Sequence, residues 1–162
     1  MSTSSSSFAR ASTVTDDSYD LERFVSAQEA GGTYASAVTE LRAGRKLGHW
    51  MWFVFPQVAG LGLSELSRRY AISSLEEARA YLAHPILGQR IEECARTLAD
   101  VSGKSARDIF GQVDATKLRS SMTLFARAAP DNPFFRDVLG RYFDGLADDA
   151  TDELLRSSRR EG

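Results

Sequence analysis

Helix starts and helix stops alternate along this chain from Asp20 to Leu155, and the stretches between them carry apolar residues three and four positions apart. That spacing gathers apolar groups on one face of a helix, whereas a strand would need strict alternation. Asp20 can cap a segment that places Leu21, Phe24, Val25 and Gln28 together and ends at Gly31-Gly32. Thr33 opens the next, with Ala37, Val38 and Leu41 inward and Gly44 as its stop. Ser74-Leu-Glu-Glu77 has the spacing of a capping box, and its helix runs to His84. Pro85 suits the first position of the following helix, in which Ile91, Cys94, Ala95 and Leu98 recur before Gly103 closes it. A short helix over Ser105–Phe110 stops at Gly111, and Asp114 caps a longer one carrying Leu118, Met122, Phe125 and Ala126. Asn132-Pro133 starts another, with Phe134, Phe135, Val138 and Leu139 inward, and a last short helix around Thr151 carries Leu154 and Leu155. The expected fold is all-α, a single-domain array or bundle of about seven to eight short helices.

One block does not declare itself. His49-Trp-Met-Trp-Phe-Val-Phe-Pro56 is almost wholly apolar and aromatic, so periodicity does not separate a strand from a buried helix. Helix is the better choice because no second convincing strand exists to pair with it, and Pro56 would end it.

Bulk properties narrow the function. With 162 residues, 43% hydrophobic and 26% charged, the chain suits one globular domain. Its formal net charge of −2 disfavours general nucleic-acid binding, which needs a basic surplus to displace counterions, yet leaves room for a local basic pocket. The one cysteine, Cys94, excludes an internal disulfide and reads as a small apolar core residue. No apolar run reaches the ~18 residues of a membrane span, and the first ten residues lack the apolar core of a secretory signal, so a cytoplasmic location is expected. Residues 1–18 read as a flexible Ser/Thr-rich leader, 19–156 as a single helical domain, and 157–162 as a polar tail.

The familiar catalytic signatures are absent: no phosphate-binding loop, no nucleophile elbow, no zinc helix. Only His49 and His84 carry imidazoles, so no metal site is expected and no cofactor is implied. His84, where a helix ends, would suit the negative end of the dipole. His49 stands beside Trp50 and Trp52, with Gln57 after Pro56: stacking surfaces, an amide and a candidate acid or base together. The plain alternative makes both tryptophans core anchors. A second candidate is Lys117, Arg119 and Ser120, near the start of a helix if Asp114 caps it. Cations there oppose the helix dipole unless an anion sits among them, although two exposed cations paired with acids would cost little. The basic run Arg42-Ala-Gly-Arg45-Lys46 is either a solvated helix end or a set of phosphate contacts at a cleft mouth.

The run from Glu40 through His49-Trp-Met-Trp-Phe-Val-Phe-Pro-Gln57 resembles the bacterial family catalogued as domain of unknown function 1810. So do Ser74-Leu-Glu-Glu-Ala-Arg-Ala-Tyr-Leu82, His84-Pro85, Ile109-Phe-Gly111 and Lys117-Leu-Arg-Ser-Ser-Met-Thr-Leu-Phe125. The resemblance implies a small, mainly helical single domain and brings no settled activity with it. Some members carry a calpastatin-like label, but no residue here supports a protease-inhibitor mechanism. Two functions stand as expectations. One is a domain that binds, and could hydrolyse, a small anionic nucleotide-like ligand in a cleft lined by His49, Trp50, Trp52, Gln57, Lys117, Arg119 and Ser120. The other is a non-catalytic protein-interaction module with an exposed aromatic surface and a partner not specified by these residues.

Overall fold

Asp17, not Asp20, starts the first helix. Its carboxylate accepts the backbone N–H groups of Leu21 at 2.7 Å and Glu22 at 3.1 Å, while Asp20 itself sits in the left-handed region at φ 55°. The computed structural model describes residues 17–161, so all but the last two residues of the expected leader lie outside the described residues. Helix α1 (Glu22–Glu29) passes through a 3-10 turn at Ala30–Gly32 into α2 (Thr33–Ala43), which stops at Gly44 as its sequence predicts. The aromatic block gives only the single turn α3 (Met51–Val54), preceded by His49 and Trp50 in irregular chain. Beyond Pro56 the chain runs extended beside Ile72 in an isolated parallel bridge, with Ala59 N–H donating to the Ile72 carbonyl and Ile72 N–H to that of Gln57. One turn is helical and the next stretch strand-like, which is why periodicity alone was ambiguous there.

Helix α4 (Glu65–Arg69) is capped by the Ser64 hydroxyl, and α5 (Leu75–Ala83) by that of Ser74, which accepts from Glu77 N–H at 3.1 Å. The Glu77 carboxylate does not return the favour. It accepts from Ser73 N–H and Oγ at 2.8 Å each and pairs with Arg23 at 3.1 Å, fastening α1 to α5 instead of completing a capping box. His84 ends α5 as expected, and its Nδ1 accepts from Ile86 and Leu87 N–H at 3.1 and 3.3 Å, so the imidazole also caps the start of α6 (Leu87–Asp100). A Cβ on Gly88 would fall 2.1 Å from the Leu82 carbonyl oxygen, so glycine lets α6 begin hard against α5.

The expected short and long helices meet in one element, α7 (Ala106–Ala128), opened by a reciprocal capping box between Ser105 and Asp108. Gly111 breaks it at φ 80°, ψ 168°, a conformation essentially restricted to glycine. The second half therefore starts at Gln112, and Asp114 lies inside its first turn instead of capping it. Helix α8 (Pro133–Phe143) is capped by Asn132, whose Oδ1 accepts Phe134 N–H at 3.0 Å. Helix α9 (Asp149–Glu161) takes in residues 157–161 of the stretch read as a polar tail, and residue 162 lies outside the described residues.

The second half of α7 is the axis of the molecule, buried from Leu118 to Phe125 apart from Arg119 and packed against α5, α8 and α9. Rings of Phe24, Tyr81, Phe125 and Phe135 follow one another at 5.1, 5.2 and 5.8 Å, tying α1, α5, α7 and α8 into one core. Cys94 is buried in it, and burial pushes its thiol up to about 12, so it stays protonated and unreactive. Among the described residues the fold is one all-α domain. No described helix is long and apolar enough to cross a membrane.

Candidate functional site

The break at Gly111 turns one side of α7 toward two loops and opens a cleft of about 500 Å³. That volume lies within the ~300–1,000 Å³ usual for small-molecule sites. The floor is the second half of α7, through Gln112, Thr116, Lys117 and Ser120. Gln57, Leu61 and Gly62 form the wall after the aromatic block, and Asp148 and Ala150 form the opposite wall at the start of α9. Gln57 is held there because its carbonyl accepts from Ile72 in the isolated bridge.

Lys117 is the cation of the cleft. Its Nζ stands 4.9 Å above the Trp52 ring and 3.7 Å from Asp114 Oδ1. The other oxygen of that carboxylate binds Lys46 at 2.8 Å, so two lysines share one acid. Beneath Lys117, Trp52 Nε1 is buried and has no acceptor among the described residues. An unmet buried donor costs on the order of 1–3 kcal/mol and is uncommon in folded proteins.

Ser120 is buried, and its hydroxyl lies 3.2 Å from both the Thr116 carbonyl and Asp148 Oδ2. Asp148 Oδ2 also accepts from Thr151 N–H at 3.0 Å and Thr151 Oγ1 at 2.6 Å, which caps α9. Asp148 N–H in turn donates to Thr123 Oγ1 at 2.9 Å. This network ties the start of α9 to α7 beside the cleft.

Gln57, Lys117 and Ser120 thus come together, with Trp52 behind Lys117. The other expected site residues do not join them. Trp50 is only 1% exposed and sits between Phe55 and Phe110, its Nε1 donating to Glu40 at 2.8 Å, so it is a core anchor and offers no face for stacking. His49 is exposed on the loop before α3 and does not line the cleft. Arg119 does not line the cleft: its Nε and Nη2 donate to the carbonyls of Leu146 and Ala147, each at 2.9 Å, bracing the loop between α8 and α9. The basic run also lies elsewhere: Lys46 is pinned by Asp114 and the Gly48 carbonyl, and Arg42 faces Glu93.

The family model described as protein of unknown function DUF1810 matches residues 18–155. The chain belongs to this family. Among solved structures, the crystal structure of the conserved hypothetical protein Rv1873 from Mycobacterium tuberculosis is similar, at 56% identity and a TM-score of 0.84. The alignment covers 86% of this chain and 99% of that one. No curated protein matches. All the residues of the cleft fall within the stretch that matches DUF1810.

Asp148, Gln112 and Thr116 were not singled out by sequence. Asp148 was within reach, since Asp148-x-x-Thr151 has N-cap spacing just after Gly145. Gln112 and Thr116 were not, because their exposure depends on the break at Gly111. Among the described residues no group of three or more His, Cys, Asp or Glu is placed to hold a metal ion.

Proposed function

We propose that this DUF1810 protein binds a small anionic, nucleotide-like ligand in the cleft over the second half of α7. The observation that carries the reading is Lys117, whose ammonium lines the cleft while sharing its one carboxylate with Lys46 and lying over a tryptophan with an unmet N–H. A phosphate or carboxylate beside Lys117 would supply the missing countercharge. The positive end of the helix beginning at Gln112 would add to the attraction. Leu61 and Val113 offer apolar walls for a flat ring, and the Gln57 amide can read a polar edge. The reading is one of binding, with no chemical step. His49 stands outside the cleft, and Asp148, the acid within it, already accepts bonds from Thr151 and Ser120.

A thermal-shift series with nucleotides, NAD, ADP-ribose and simple phosphates tests it, using the wild type and Lys117→Ala. A ligand at about a hundred times its dissociation constant adds roughly 2.7 kcal/mol, which raises the melting temperature by several degrees. A rise in the wild type that disappears in Lys117→Ala is expected. No rise with any compound, or one that Lys117→Ala leaves intact, would remove the proposal.

A further inference from the structure

We infer that a second cleft, formed where α5, the end of α7 and α9 meet, binds a phosphomonoester with an apolar body through Arg79, Arg127 and Arg156. It is separate from the Lys117 cleft and does not depend on that reading. Its volume is about 510 Å³, and its lining consists of these three arginines, Asp152, Leu75 and Leu155. In a chain whose formal net charge is −2, three guanidinium groups from three helices facing one cavity is an uneven placement of charge.

The local acids do not neutralise it. Asp152 is bound to Arg127 through both oxygens, at 2.8 Å to Nε and 2.9 Å to Nη2. Arg127, by its hydrogen bonds, holds the Asp152 carboxyl below the usual carboxylate range, so the pair stays charged. Arg156 meets Glu153 at 2.8 Å on the solvent side, where both side chains are more than half exposed and the pairing is weak. Arg79 makes no ion pair among the described residues. Of the charged residues that line the cleft, three are arginines and one, Asp152, is an acid.

The geometry also suits a tetrahedral oxyanion. The fork from Arg127 to Asp152 uses Nε and Nη2, so it orients the guanidinium while leaving Nη1 to donate elsewhere. Asp152 and Arg156 are four residues apart and share a face of α9, which puts Arg156 beside that oriented group. Arginine's planar set of donors matches phosphate oxygens two at a time, an arrangement a lysine cannot reproduce. Between the arginines, Leu75 and the buried Leu155 give an apolar floor that a bare phosphate would leave uncovered.

Calorimetric titration of the full chain with inorganic phosphate and with phenyl phosphate separates the possibilities. Phenyl phosphate is expected to bind more tightly than inorganic phosphate. Arg79→Ala/Arg156→Ala should weaken it by at least about tenfold for each arginine lost. Arg79→Lys/Arg156→Lys, which keeps the charge, should recover only part of that loss, and His49→Ala, which lies outside both clefts, should keep the wild-type affinity. Both arginines are on the surface, so circular dichroism should show an unchanged fold. Absence of binding, equal affinity for the two phosphates, or an affinity unchanged by the double alanine variant would each overturn the assignment.

Discussion

Trp50 and Glu40 illustrate how one residue pair can look functional and act structurally. Glu40 Oε1 gathers the Leu47 and Gly48 N–H groups and the Trp50 indole at 2.8, 2.9 and 2.8 Å, pinning the loop that carries the aromatic block. Burial pushes the Glu40 carboxyl up, but those donors and the nearby Lys46 charge together hold it below its ordinary value. A carboxyl lowered on folding stabilises the protein above the ordinary carboxylate range and ceases to do so as pH falls through its folded value. Glu40→Gln should therefore be less stable than wild type near neutrality, and urea unfolding of the two should converge at acid pH. A gap that stays constant down to acid pH would contradict this. Trp50→Phe, which removes one donor from a buried bond, should lose about 1–3 kcal/mol in the same assay. His49→Ala lies at the other extreme. Exposed and outside the cleft, it should change stability by less than about 0.5 kcal/mol and leave any ligand-induced thermal shift intact.

At the scale of elements, the decisive feature is the break in α7. A Cβ at Gly111 would meet no atom within 4 Å, so Gly111→Ala tests backbone conformation without crowding. Its φ of 80° with ψ of 168° predicts a loss of about 1–3 kcal/mol in chemical denaturation. The lining at Gln112 and Thr116 should be disturbed at the same time. Equal stability would mean the break is not held by glycine. Most helices were legible because their ends use local chemistry: Gly31-Gly32, Gly44, Ser74 and Asn132 each start or stop a helix where expected. The failures have a common cause. Asp17 in place of Asp20, and Glu77 turned toward Arg23 instead of Ser74, were decided by partners or backbone geometry outside the capping window. The aromatic block is helical for one turn only, and it is Val58, beyond Pro56, that pairs with Ile72 on a distant part of the chain.

For the molecule as a whole, the all-α architecture could be read from periodicity, whereas the cleft could be read only in part. Lys117, Ser120 and Gln57 stood out by residue type, and folding brings them to one cavity. Trp50 and Arg119 stood out equally, but the first is held in the core and the second lies outside the cleft lining, bonded to the carbonyls of Leu146 and Ala147. Type and spacing show what a side chain can do, and tertiary packing decides whether it is free to do it. The Lys117 cleft and the arginine cleft have no lining residue in common. Ligands of the two should accordingly respond to different variants.

The most direct measurement is a backbone amide NMR titration of the full chain with the nucleotide that gives the largest thermal shift. Perturbations confined to the Gln57–Gly62 loop, Gln112–Ser120 and Asp148–Ala150, saturable in wild type and absent in Lys117→Ala, are the predicted result. Perturbations elsewhere, or the same pattern in Lys117→Ala, would contradict the assignment of this cleft as the nucleotide-like ligand site.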